Sequence, residues 1–90
     1  GNDPAKVSYN TLIYRADGAV MSAGFMLIEY GNFSWMTECQ EIYYVVEGTL
    51  SVEKDGKLFK AHAGDCLFFK KGAQLKLSVE EKVKVFYVTD

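Results

Sequence analysis

Apolar, aromatic and β-branched residues in this chain come in short runs, each stopped by a turn-forming cluster, and nowhere do they recur at helical spacing. The runs "EIYYVVEG", "TLSVEKDGKLFKA", "CLFF", "LKLSVE" and "KVKVFYV" carry the pattern, broken by "HAGD" and "KKGA". In "LKLSVE", Leu75, Leu77 and Val79 alternate with Lys76, Ser78 and Glu80, the period of a half-buried strand. Asp55-Gly56 tolerates two successive positive φ angles, which is what a two-residue hairpin turn demands. Upstream, "TLIY" (Thr11–Tyr14) reads as a first strand ended by "ADG", and Met21–Tyr30 reads as another. Seven or eight short strands at regular spacing predict an all-β sandwich or small barrel.

Ninety residues suffice for one core, so residues 1–90 are read as a single domain. Gly1 in place of an initiator methionine reads as the scar of a trimmed tag. Residues 1–8 are then that scar with a flexible or edge segment, which leaves open that the sequence is a piece of something longer. Ten basic against twelve acidic residues give a net charge of −2, which offers neither nucleic acid nor an anionic membrane an electrostatic footprint. No apolar run approaches the roughly 18 residues that span a bilayer, and a cytoplasmic location is expected. Cys39 and Cys66 lack the CxxC spacing of redox and zinc sites and are read as reduced thiols, with a disulfide between them the open alternative. Cys66, before "LFF", is expected to be an inert buried thiol.

The order of turns is specific. Glu41, six residues and Gly48, followed by Gly64, five residues, Lys70, Lys71 and Gly72, resembles the two motifs of the cupin superfamily. "MSAGFM", "FSWMTECQEIYYVVEGTL", "AGD", "FFKKG" and "VFYVT" narrow the resemblance to the cupin domain of the ethanolamine-utilisation protein Q family, over roughly residues 20–89. The resemblance implies a small jelly-roll β-barrel. It also implies a homodimer, work alongside ethanolamine-degrading bacterial microcompartments and their proteins, and acetate kinase activity.

Metal-binding cupins carry His-x-His ahead of the motif glutamate and a third histidine after the second motif. Here the first pair falls on Ser34 and Met36, or on Trp35 and Thr37, and the third on Leu75, so only Glu41 is kept and no metal or other cofactor is expected. His62, the single histidine, lies outside both motifs and reads as a solvated loop side chain. Tyr43 and Lys70 also depart from the family, which usually has an acidic residue and a proline there. No phosphate-binding glycine loop is present.

Strand alternation puts Glu41, Tyr43 and Val45 on one face, which the resemblance turns into the barrel. Glu41 is then either a hydrogen-bonded structural carboxylate or a ligand-contacting or catalytic one. Its candidate partners are Tyr43, Tyr87, Thr37 and Lys70 or Lys71, the two lysines otherwise reading as a solvated turn. Phe25, Phe33, Trp35 and Met36 are either core filling or the apolar wall of a small-molecule pocket. Two functions follow: a ligand-binding or accessory module, or an enzyme on a small carboxylate or phosphate metabolite with Glu41 as acid/base.

Overall fold

The computed structural model describes residues 6–13 and 20–90, without the side chains of 10–13. It is built of β1 (Val7–Ile13), β2 (Ser22–Met36), β3 (Glu41–Lys54), β4 (Lys57–His62), β5 (Cys66–Phe69) and β6 (Gln74–Thr89). The strands are fewer and longer than the turn signals suggest. "LKLSVE" and "KVKVFYV" join through Glu80–Lys82 into one strand, because a charged stretch can cross a bulge without leaving the ladder. β1 starts at Val7, ahead of the Thr11 expected. The expected strand end at Tyr14, the Ala16–Gly18 turn and Gly1 lie outside the described residues.

Every described pairing is antiparallel, in the order β1-β2-β6-β3-β4, with β5 also on β3. This is an open path bent by register shifts into a jelly roll, not a closed ring of hydrogen bonds. The bend encloses Ile28, Val45, Leu50, Val52, Val83 and Val85, none with any solvent exposure. Burying each contributes on the order of 1.5–3 kcal/mol before entropy is counted. The Asp55-Gly56 hairpin has the expected geometry, with φ of 53° and 75°.

Two glycines control the faces. Gly31, at φ 136°, lies where the β2–β6 register shifts between Glu29 and Gly31. Before it Met26 and Ile28 point inward, and after it Gly31, Phe33 and Trp35 do. Gly48, at φ 86°, lies where β3 and β6 shift against one another. A Cβ there would meet the Lys82 carbonyl oxygen at 2.3 Å.

A second apolar layer forms on the outside. Phe25 packs edge-on against Phe86 at 5.3 Å, Phe86 pairs with Tyr44, and Ile42 lies between Val88 and Phe68. β5 belongs to this layer. Only Phe69 of its four residues is buried, whereas Cys66 and Phe68 are exposed. The reading of "CLFF" as a buried strand with an inert buried thiol is therefore corrected. β5 pairs only with β3 among the described strands, so one of its hydrogen-bonding edges stays open. Neither cysteine is in a disulfide, so both are reduced thiols as expected.

Candidate functional site

Glu41 opens β3, flanked by Phe69 of β5 and Thr89 of β6. Two residues on, Tyr43 shares its face and lies opposite Tyr87. Trp35 arrives from the far end of β2, half-exposed at the rim, with its indole N–H directed at Glu41. The three meet on one carboxylate. The Trp35 indole N–H donates to Glu41 Oε2 at 3.1 Å, and the Tyr43 hydroxyl donates to Oε1 at 3.3 Å. Glu41 is 7% exposed, so these bonds replace water that it has lost on folding.

Above the carboxylate is a cavity of about 190 Å³. Its walls are the rings of Tyr9, Phe33, Trp35, Tyr43 and Tyr87, together with Met26. Glu38, Cys39 and Thr89 complete the rim. Tyr9 stands edge-on to Tyr87 at 6.0 Å, and Tyr43 edge-on to Phe69 at 5.3 Å. Burial and the Glu41 carboxylate push the Tyr43 phenol well above the ordinary tyrosine range, so it stays a donor. The Tyr9 phenol is also raised, by burial and by Tyr87 and Glu41.

Of the pocket residues expected from sequence, Phe33, Trp35, Glu41, Tyr43 and Tyr87 are brought together here. Phe25, Met36 and Thr37 are not. Phe25 has the same parity as Phe33 and Trp35, but it precedes the switch at Gly31 and so faces outward, under the Lys84 ammonium 5.0 Å from its ring. Met36 is exposed and lines a separate groove with Ser34, Glu53 and Lys76. Thr37 is 1% exposed and holds the turn between β5 and β6 instead of Glu41. Its hydroxyl donates to the Lys70 carbonyl at 2.6 Å and accepts the Ala73 N–H at 2.9 Å.

Lys70 and Lys71 line another groove, beside Val20, Gln40 and Asp90. His62 is exposed and sits 3.2 Å from the Thr49 hydroxyl. Tyr9 and Met26 are wall residues that sequence reasoning missed, and the place of Tyr9 depends on β1 lying beside β2. The donor role of Trp35 was hidden as well, although an indole N–H six residues from a buried carboxylate was the available signal.

Ser34, Trp35, Met36, Thr37 and Leu75 stand where the family motifs carry histidine. Among the described residues, no three His, Cys, Asp or Glu side chains are gathered closely enough to hold a metal ion. A lone carboxylate capped by an indole and a phenol does not fit an imidazole–carboxylate centre. No helix among the described residues is long and apolar enough to cross a membrane.

Comparison with known proteins bears on the family and the fold. Residues 1–90 match the family described as ethanolamine utilisation protein EutQ. The chain is 38% identical over 88 residues to acetate kinase EutQ of Escherichia coli (strain K12), covering 98% of this chain and 38% of that protein. It thus spans well under half of that relative's length. The structure of the Clostridium difficile EutQ protein is similar at a TM-score of 0.86 and 29% identity, over 94% of this chain and 68% of that one. A cupin-2 domain containing protein from Shewanella frigidimarina NCIMB 400 shares the fold at a TM-score of 0.75 and 20% identity, over 90% of this chain and 78% of its own. The architecture is therefore the cupin fold, and the chain belongs to the ethanolamine utilisation protein EutQ family.

Proposed function

We propose that this chain is a small-molecule-binding module, that its ligand occupies the cavity over Glu41, and that it serves as an accessory to microcompartment metabolism of ethanolamine. One observation carries the reading: a buried carboxylate with two fixed donors forms the floor of a ring-walled cavity of about 190 Å³. Small-ligand sites combine apolar walls with a few placed polar groups in this way. Trp35 is the chain's one tryptophan and touches Glu41, so its indole N–H resonance reports on the site. Adding small organic amines and acids should shift that resonance. A signal indifferent to all of them would remove the cavity as a ligand site. Cofractionation with microcompartment shells tests the association.

The name of the Escherichia coli relative supports a second reading, an enzyme of acetate kinase type using Glu41 as acid/base. Against it, this cavity is smaller than the roughly 300 Å³ at which sites for drug-sized ligands begin, so a nucleotide would have to extend into the adjoining groove beside Lys70 and Lys71. Acetyl phosphate formation from acetate and ATP decides between them. No turnover is expected of this chain, and turnover lost in Glu41→Gln would establish the enzyme.

A second copy of the chain is the partner proposed for the outer apolar layer of Phe25, Ile42, Tyr44 and Phe68. That layer carries too few charges for a polyanionic partner, and a C2 dimer would cover it with itself. Light scattering should give a dimer mass that Phe68→Glu halves, and a monomer mass for the unaltered chain would refute the dimer.

A further inference from the structure

The charge of the cavity narrows its ligand, on the reading that the cavity is a ligand site. We infer that the site takes a small organic ammonium cation, its N–H groups or N-methyl groups directed at Glu41 and its alkyl part against the surrounding rings.

Two carboxylates, Glu41 and Glu38, line the cavity, and among the described residues no lysine, arginine or histidine does. Lys70 and Lys71, the cations that sequence placed near Glu41, line the adjoining groove, which shares Glu38 and Cys39 with the cavity rim, so the charge at the floor is that of Glu41. The available polarity has the same sign. A carboxylate offers about four lone-pair positions, and each oxygen of Glu41 uses one on a protein donor. What remains of Glu41 on the cavity floor is acceptor. An acetate, phosphate or other anion would meet those lone pairs with only the hydroxyls of Tyr9, Tyr87 and Thr89 as further donors at the wall and rim, and with no cationic side chain among the described lining residues to offset the carboxylate.

A cation meets the opposite situation. It supplies the donors or the positive charge that the floor lacks, and the faces of aromatic walls favour positive over negative ligands. The phenols of Tyr9 and Tyr43 register the same field, since the Glu41 charge raises both. A volume of about 190 Å³ equals roughly six waters at about 30 Å³ each, which suits an amine of a few heavy atoms; a nucleotide or a peptide would have to extend beyond it.

The test is a titration of the unaltered chain followed through Trp35 fluorescence, excited where tyrosine does not absorb. The probes are n-propylammonium, tetramethylammonium, propionate and inorganic phosphate at fixed ionic strength. A saturable response to at least one ammonium ion, with none to propionate or phosphate, is expected. Glu41→Gln, verified as folded by circular dichroism, should weaken ammonium binding by about tenfold or more. Propionate or phosphate binding as well as or better than the ammonium ions would refute the cation while leaving a ligand site. Silence toward all four probes would overturn both the cation and the site. Equal ammonium affinity in folded Glu41→Gln would also refute the inference. Should that variant not fold, the comparison of probe charges on the unaltered chain still decides.

Discussion

Tyr43→Phe removes one hydroxyl and nothing else of size. The side chain is 4% exposed and its ring stands edge-on to Phe69, a contact that phenylalanine keeps. The loss at neutral pH is therefore one hydrogen bond to a buried carboxylate. Bonds to charged partners contribute about 1.5–3 kcal/mol. At 3.3 Å this one belongs at the low end, about 1.5 kcal/mol. The pH dependence follows from the raised phenol. Below about pH 10 tyrosine is protonated in both folded and unfolded chains, and the stabilisation is fully present. Above about pH 10 the unfolded chain gives up a proton that the folded chain retains, so stability falls by about 1.4 kcal/mol per pH unit.

The phenylalanine variant has no such proton to lose. The gap of about 1.5 kcal/mol at pH 8 should therefore close near about pH 11 and reverse beyond it. Urea unfolding of both proteins between about pH 8 and pH 11.5 measures the difference, in which all other titrating groups cancel. A gap that stays constant across that range would show that folding does not hold the Tyr43 phenol protonated. The Tyr43–Glu41 contact would then be wrong.

Gly48→Ala should cost about 3 kcal/mol, about 1–2 from positive φ and the rest from forcing the Lys82 carbonyl away. Gly56→Ala, also at positive φ but with nothing within 4 Å of its Cβ, should cost only about 1 kcal/mol. Equal midpoint shifts in urea would refute the close approach of β3 and β6. Thr37→Val keeps shape but removes two hydrogen bonds and leaves the Ala73 N–H and the Lys70 carbonyl only their longer bond to each other at 3.3 Å, for a loss of about 2 kcal/mol by thermal or urea unfolding. Thr37→Ser should recover most of that loss, and a neutral Thr37→Val would remove the clamp.

The strand faces that do not cross a bulge were legible in the chain. Leu75, Leu77 and Val79 alternate with polar neighbours, and Glu41, Tyr43 and Val45 share the inner face. Asp55-Gly56 announced its hairpin because few residues accept two positive φ angles. What sequence could not supply was the effect of a register shift. Period-two reasoning treats Phe25, Phe33 and Trp35 as one row, and the switch at Gly31 sends the first outward and the others inward. Thr37 was misplaced for a related reason. It lies beyond the end of β2, where neighbours are set by the path of the turn at Lys70–Ala73 and not by strand parity. Tyr9 depends on β1 pairing with β2, a contact between segments whose own patterns do not name each other.

The cavity asks one residue to serve stability and binding in opposite directions. A metal cupin neutralises its glutamate with an ion. Here Glu41 has only the partial charges of an indole N–H and a phenol O–H, so a negative potential remains on the floor. Each Glu41 lone pair that accepts from the protein is unavailable to a ligand donor aimed at the same oxygen. Tyr43→Phe, less stable at neutral pH, should therefore bind n-propylammonium more tightly. It frees the second lone pair of Oε1 while keeping an aromatic wall and the Trp35 reporter. The gain should be about three- to tenfold, the equivalent of about one hydrogen bond to a charged group shared between two claimants. Glu41→Gln should move binding the other way. Weaker ammonium binding by Tyr43→Phe would mean that the hydroxyl contacts the ligand directly. The competition between protein and ligand for the carboxylate would then be the step to discard.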